Sequence, residues 1–344
     1  MTMLALRKTS PEPGLDFAEV PEPIPQPGEV LVEVEAAGIC GTDVHIADWT
    51  AGYASMTSAM PVTIGHEFAG RIVELGEDAR GVAVGQRVTV RPSTVCGHCA
   101  ACTAGDPDGC THRRGIGIGR DGAFAALVRV PAANCVPVPD GMAAELAAMT
   151  EPLSVSMHAV DLAAVKPGQR VLVLGPGPIG LGIALFATAA GAEVVLAGVH
   201  DEARLTTARA VCDGTAIDLA GADLPNALAA AGQDKPFDAV IEAAGATAAI
   251  EGGLRQLRRG GTLVVAGIHA RPAPIDLTQL VRMEQSIYGA YRAPVTDWSR
   301  VIAFMQRHQD RIQAMITHRL SLADAKEGFV LLRSRAASKV ILRA

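Results

Sequence analysis

Between Cys96 and Cys110 the chain reads CGHCAACTAGDPDGC, which packs four of its seven cysteines into one short stretch. The spacing is C-x2-C-x2-C-x7-C. Four thiolates this close would repel one another without a cation, and four sulfur donors complete the tetrahedral shell of zinc. Such a set is closed to substrate. It therefore predicts a structural zinc on Cys96, Cys99, Cys102 and Cys110 that staples a loop, about residues 92–112, too poor in apolar side chains to order itself. Disulfides are the competing reading, disfavoured in a chain without an export signal. His98 and His112 are surplus to a complete sulfur set, and Cys135 and Cys212 read as plain thiols.

A second group of donors is dispersed. Cys40 stands in GICGTDVH, His66 and Glu67 in IGHEFAG, and Glu151 in TEPLSVSMHAV. Thiolate, imidazole and carboxylate are all zinc donors. Glu151 falls where the texture of the chain changes, so it is expected at a cleft between two units, where cofactor and substrate would meet.

The third feature is Gly175-Pro-Gly177-Pro178-Ile179-Gly180. It leaves the apolar run RVLVLG and opens the helix-like PIGLGIALFATAAG, the context in which G-x-G-x-x-G cradles a dinucleotide pyrophosphate at a helix N-terminus. An acid about 20 residues further on would hold the ribose 2′-hydroxyl. That place falls at Gly198 or Val199, neither of them acidic. Asp201 could take the role in an unusual loop, or His200 and Arg204 could accept a 2′-phosphate; NAD and NADP both stay open.

Stepping outward, the elements that must position these residues fall into two textures. Up to about residue 152, short apolar runs such as EVLVEVEAAG, FAGRIVELG, GQRVTVRP, AFAALVRVP and CVPVP are punctuated by Gly and Pro, which reads as an irregular β-rich domain. EVLVEVEAAG alternates as a half-exposed strand would. From 153 to 292, strands (RVLVLG, EVVLAGV, DAVIEAAG, GTLVVAGI, SIYGAYR) alternate with helical runs, the pattern of a doubly wound parallel sheet in an α/β protein. A helix around Trp298–His308 and the strand SKVILRA make up a tail, 293–344, expected to return to the first domain. The uncharged run 171–192 is long enough to span a bilayer, but its glycines and prolines favour a buried strand, turn and helix.

Composition agrees with a well-packed protein: 344 residues, 49% apolar, 36 glycines and a net charge of −6. No Lys/Arg run is present, which weighs against nucleic-acid or membrane partners. The opening MTMLALRKTSPEPG lacks the apolar core of a secretory leader, so a cytoplasmic protein is expected.

Taken in order, Cys40-Gly-Thr42-Asp43-x-His45, Gly65-His66-Glu67, the four-cysteine cluster, Glu151-Pro152 and the glycine motif resemble the zinc-dependent medium-chain dehydrogenase/reductase superfamily over essentially the whole chain. The resemblance implies a Rossmann domain beside a GroES-like catalytic domain, two zinc ions per chain, NAD or NADP, a small alcohol or ketone substrate, and a homo-oligomer (tetramer or dimer). It places the catalytic zinc on Cys40 and His66 with Glu67 beside it. Glu151 occupies the site of a third ligand in some members, and in polyol dehydrogenases of one that holds zinc-bound water. Thr42 and His45 would relay the alcohol proton by way of the coenzyme ribose, Asp43 would orient His66, and Arg292 in YGAYRAP would sit near coenzyme and active-site water. The stretch IADWTAGYASMTSAMP, with Trp49 and Tyr53, is expected to wall the pocket. CGTDVHIADW is similar to L-threonine 3-dehydrogenases, whereas TEPLSVSMHAV and GAYR are similar to polyol dehydrogenases. A secondary alcohol with neighbouring hydroxyl or amino groups is therefore expected, polyol ahead of threonine. A non-catalytic cofactor-binding protein and a zinc-ribbon interaction module are the alternatives from other classes.

Overall fold

The computed structural model describes residues 1–50 and 52–343; Ala51, within the expected pocket wall, falls outside them. Six parallel strands form one sheet in the order Thr215–Asp218, Glu193–Gly198, Arg170–Leu174, Phe237–Glu242, Leu257–Val265 and Ser286–Gly289. Val171, Leu172 and Val173 are fully buried in succession. Burial on both faces is why such strands carry continuous rather than alternating apolar residues. The uncharged run resolves into the strand Arg170–Leu174 and the helix Pro178–Ala189. No helix among the described residues is long and apolar enough to cross a membrane.

The second large sheet is mostly antiparallel. Its path runs Cys135–Pro137, Arg87–Val90, Glu67–Leu75, Glu29–Gly38, Lys339–Arg343 and Ile316–Ser321, with Leu127–Pro131 also paired to Glu29–Gly38. The strand Glu29–Gly38 is thus central, and Val30, Val32, Val34, Ala36 and Ala37 are all buried. The acids of this strand face outward, Glu33 exposed and Glu29 and Glu35 half-buried and paired with arginines. Glu35 accepts hydrogen bonds from Arg71 and Arg87 at 2.6–3.1 Å.

The tail does re-enter this sheet, at Ile316–Ser321 and Lys339–Arg343. The intervening helices behave otherwise than expected of a segment assigned to the first domain from residue 293. Asp297–Arg307 packs on the helix Thr150–Leu162, and Gln309–Met315 packs on Glu202–Val211. Phe304 packs against Phe186 with the rings tilted and their centroids 4.5 Å apart. An amphipathic helix goes where its apolar face finds cover, and Val301, Ile302, Phe304 and Met305 find it in the core beneath the parallel sheet.

Candidate active site and metal centres

Cys40 is positioned by the short helix Gly41–Ala47, which it precedes. Its backbone N–H donates to Asp43 Oδ2 at 2.9 Å, and the other oxygen of Asp43 lies 3.5 Å from His66 Nδ1. One buried carboxylate therefore orients both the thiol-bearing turn and the imidazole. His66 immediately precedes the strand Glu67–Leu75. Candidate ligand atoms of Cys40, His66 and Glu67 all lie within 4.8 Å of one another.

The charges of this cluster are set by burial and by one another. Burial pushes the Cys40 thiol up, and the Glu67 carboxylate adds to the shift. Burial alone would lower the His66 imidazole, but Asp43 and Cys40 outweigh it and lift it well above the ordinary histidine range. Asp43 Oδ1 and His66 Nδ1 are buried without a hydrogen-bond partner. A soft thiolate, an imidazole and a carboxylate converging at this range fit zinc, and a zinc on the far imidazole nitrogen would draw the His66 Nδ1 proton toward Asp43.

Glu151, at the start of the helix Thr150–Leu162, is half-buried. It is not among the three groups that converge within 4.8 Å. Burial pushes its carboxyl up to about 7; Glu67 and Asp43 add to this while His66 and Lys339 oppose it. It therefore lies within range of the charges of the donor cluster.

Thr42 is half-buried, and burial pushes the Tyr53 phenol up. The rings of His45 and Tyr53 stack with centroids 6.4 Å apart, and His45 Nδ1 lies 3.3 Å from Thr50 Oγ1. Tyr53 thus lies against His45. Trp49 turns to Lys8, whose ammonium lies 5.1 Å from its ring centroid. Arg292 stacks on Tyr291 and donates to Ser93 Oγ at 3.4 Å. It lines a cleft with Asp108, Cys110 and His158 at the edge of the four-cysteine lobe. The structure records no hydrogen bond or ion pair from it to the Cys40 cluster. Its chain direction is set by a left-handed backbone, φ +63°.

The lobe itself is closed by the short ladder Ser93–Thr94 with Arg114–Gly115. Cys96, Cys99, Cys102 and Cys110 converge and none is in a disulfide. Cys96 Sγ lies 3.7 Å from Cys110 Sγ and 4.0 Å from Cys102 Sγ. Tetrahedral zinc with bonds of about 2.3 Å requires sulfurs about 3.8 Å apart, so the cage is already the right size.

Along the parallel sheet, Gly175 and Gly177 line a groove of about 700 Å³ with Gly198, Asp201, Arg204 and Arg335. Gly177 caps the helix Pro178–Ala189, with Pro178 in its first turn. Half-buried Ile179 packs on the core below, and its carbonyl accepts the Ser156 hydroxyl at 2.9 Å. Gly180 has no alternative, because a Cβ there would sit 1.8 Å from the Gly175 carbonyl oxygen. At the ribose end, Asp201 is buried and ion-paired to Arg204, so it is not free in the way the sequence allowed. His200 contributes its backbone N–H to Asp218 at 2.8 Å, but its side chain is exposed and does not line the groove. Sequence reasoning missed Arg335, whose guanidinium donates to the Val199 carbonyl at 2.8 Å from across the molecule. It also missed Lys339, fully buried against Glu67. The one signal for Lys339 was a charge opening the apolar run VIL.

A parallel sheet with a glycine-rich turn over a nucleotide-sized groove, joined to a β-rich unit carrying one convergent and one caged set of zinc donors, defines a zinc-dependent, NAD(P)-linked dehydrogenase. Family models agree: residues 26–140 match the alcohol dehydrogenase GroES-like domain and 178–307 the zinc-binding dehydrogenase domain. The chain belongs to the zinc-containing alcohol dehydrogenase family of the medium-chain superfamily. Among individual relatives, it is 35% identical to an L-threonine 3-dehydrogenase of Rhizobium etli, over 99% of this chain and 98% of that one. It is 33% identical to the enzyme of the same name from Photobacterium profundum, over 99% of both. Of solved structures, a Sinorhizobium meliloti protein described as a zinc-binding dehydrogenase, bound to NADP, superposes with TM-score 0.91 at 32% identity over both whole chains. The 2R,3R-butanediol dehydrogenase of Bacillus subtilis superposes with TM-score 0.88 at 26% identity over 99% of each.

Proposed function

We propose that this chain oxidises, reversibly, a secondary alcohol carrying a neighbouring hydroxyl or amino group. The site would lie between a catalytic unit, residues 1–152 with the returning tail, and a coenzyme unit built on 153–292. The observation that carries the reading is the donor set itself: Cys40, His66 and Glu67 converge while Glu151, not a second cysteine, lies within range of their charges. Cys40 and His66 would hold zinc, which when bound supplies Lewis acidity to a substrate oxygen. Glu151 is suited to hold a water or a substrate hydroxyl beside the cluster. Thr42 would take the alcohol proton, and His45, stacked on Tyr53, would pass it toward solvent. The turn Gly175–Gly180 would anchor the pyrophosphate of a nicotinamide dinucleotide, which when bound would supply the hydride acceptor.

On sequence alone a sugar alcohol stood ahead of threonine. Similarity to enzymes named L-threonine 3-dehydrogenase along the full chain supports reversing that order. A panel of threonine, vicinal diols, polyols and simple secondary alcohols, each assayed with NAD and with NADP, tests both levels. Turnover confined to threonine would select the amino alcohol. No turnover of any of them with the zinc-loaded protein would remove the proposal.

A further inference from the structure

A fully buried cation, Lys339, sits where no donor role calls for one. Lys339 opens the last strand, Lys339–Arg343, and is fully buried. Its ammonium pairs with Glu67 Oε2, and both side chains are 1% exposed. It also donates at 3.1 Å to the carbonyl of Ile39, the residue before Cys40. Room for this contact is made by Gly38, where a Cβ would lie 2.5 Å from Glu67 Oε2 and 2.7 Å from Lys339 Cε. An ammonium buried this way is costly, and an apolar side chain of the same length would commonly serve stability as well or better. The pair therefore calls for an explanation other than packing. Its geometry supplies one, because Glu67 cannot give the same oxygen fully to Lys339 and to a metal ion.

Resting on the catalytic-zinc reading above, we propose that Lys339 is a positioning residue of the metal centre. By holding Glu67 Oε2 and the Ile39 carbonyl, it withholds that oxygen from the ion and keeps a coordination position open for substrate. Lys339 is also the cation set against the negative charges of Cys40, Asp43 and Glu67. Removing it should bind the ion more tightly and close the site, a combination that structural damage would not produce.

The test compares wild type, Lys339→Met, Glu67→Gln and the double variant, each metal-loaded, with the cleft ion exchanged for Co(II). For Lys339→Met, extraction by a chelator should slow about 10-fold while kcat falls about 10-fold or more. Its Co(II) absorption should lose the response to added alcohol that wild type shows. In the Glu67→Gln background, adding Lys339→Met should change neither rate by more than about twofold, since the effect runs through Glu67. This arm decides the matter even if Lys339→Met alone fails to fold. Faster extraction from Lys339→Met, an unchanged spectrum with unchanged kcat, or a large effect of Lys339→Met in the Glu67→Gln background overturns the positioning role. Absence of any cleft ion in wild type would instead fell the catalytic-zinc reading and this proposal with it.

Discussion

The two sets of metal donors differ residue by residue in what their removal should do. Cys40→Ser removes a soft donor from the open cluster. Oxidation rates should fall by more than about 100-fold, beyond the usual cost of losing a residue one shell out. Coenzyme titration followed by fluorescence should stay close to wild type. The caged cysteines differ among themselves. Backbone N–H donors from Cys102 and Thr111 bring the Cys99 thiol down to about 5, whereas burial pushes Cys102 up to about 12. Burial also pushes Cys135 up to about 12. Only thiolates alkylate readily, so once the chelated lobe unfolds its four cysteines should react with iodoacetamide at pH 7 ahead of Cys135, as read by peptide mass mapping. Cysteines and the histidine were legible because their types and local spacing already limit the chemistry. Lys339 was not, since its partner Glu67 is 272 residues away and a lysine beginning a strand reads as an edge residue.

At the scale of elements, the coenzyme groove depends on how two strand ends are tied. Asp218 ends the strand Thr215–Asp218 and accepts N–H bonds from His200, Asp201 and Ala220 at 2.8–3.2 Å. Burial would raise its carboxyl, but these bonds hold it below the ordinary aspartate range. The folded state thus favours the ionised form more than the unfolded chain does. That contribution is present above about pH 4 and is lost as pH falls through the lower folded value. Asp218→Asn should loosen the loop beside the ribose site and raise KM for coenzyme about 5-fold, the worth of one hydrogen bond near 1 kcal/mol. It should also remove this acid-limb dependence from thermal melts taken between pH 3 and 5. Gly180→Ala is harsher, because the new methyl meets the Gly175 carbonyl and the turn must open. Loss of coenzyme binding in calorimetry, with the metal content intact, is the expected result. Most strands and helices here were readable from apolar runs bounded by Gly and Pro. The helix around Trp298–His308 was readable as a helix, but not its address, since an amphipathic face says that cover is needed and not which core provides it, and Gln309–Met315 was not read at all.

For the whole molecule, the tail is what joins the two chemistries. Arg335 touches the loop after Gly198 at the coenzyme groove, and four residues later Lys339 reaches the metal donors. Metal analysis should find two zinc ions per chain. The cleft ion should leave first to a chelator with loss of oxidation and little change in melting temperature, and the caged ion later with unfolding of the lobe. If both left together with one common effect, the division between an open and a closed site would be wrong.

Local chemistry alone determined the four-cysteine set and the glycine turn, each written in a short stretch whose spacing admits few structures, while the alternation of strands and helices pointed to a parallel sheet and Cys40, His66 and Glu67 stood as candidate donors. Tertiary packing decided the rest: that Glu151 lies within range of the donors' charges without joining their close group, that Asp201 is occupied by Arg204, that His200 points away, that Arg292 lies against the cysteine lobe, and that Lys339 shares Glu67. These depend on which distant strands and helices are brought together, and burial, which sets the charge state of each group, exists only once they are.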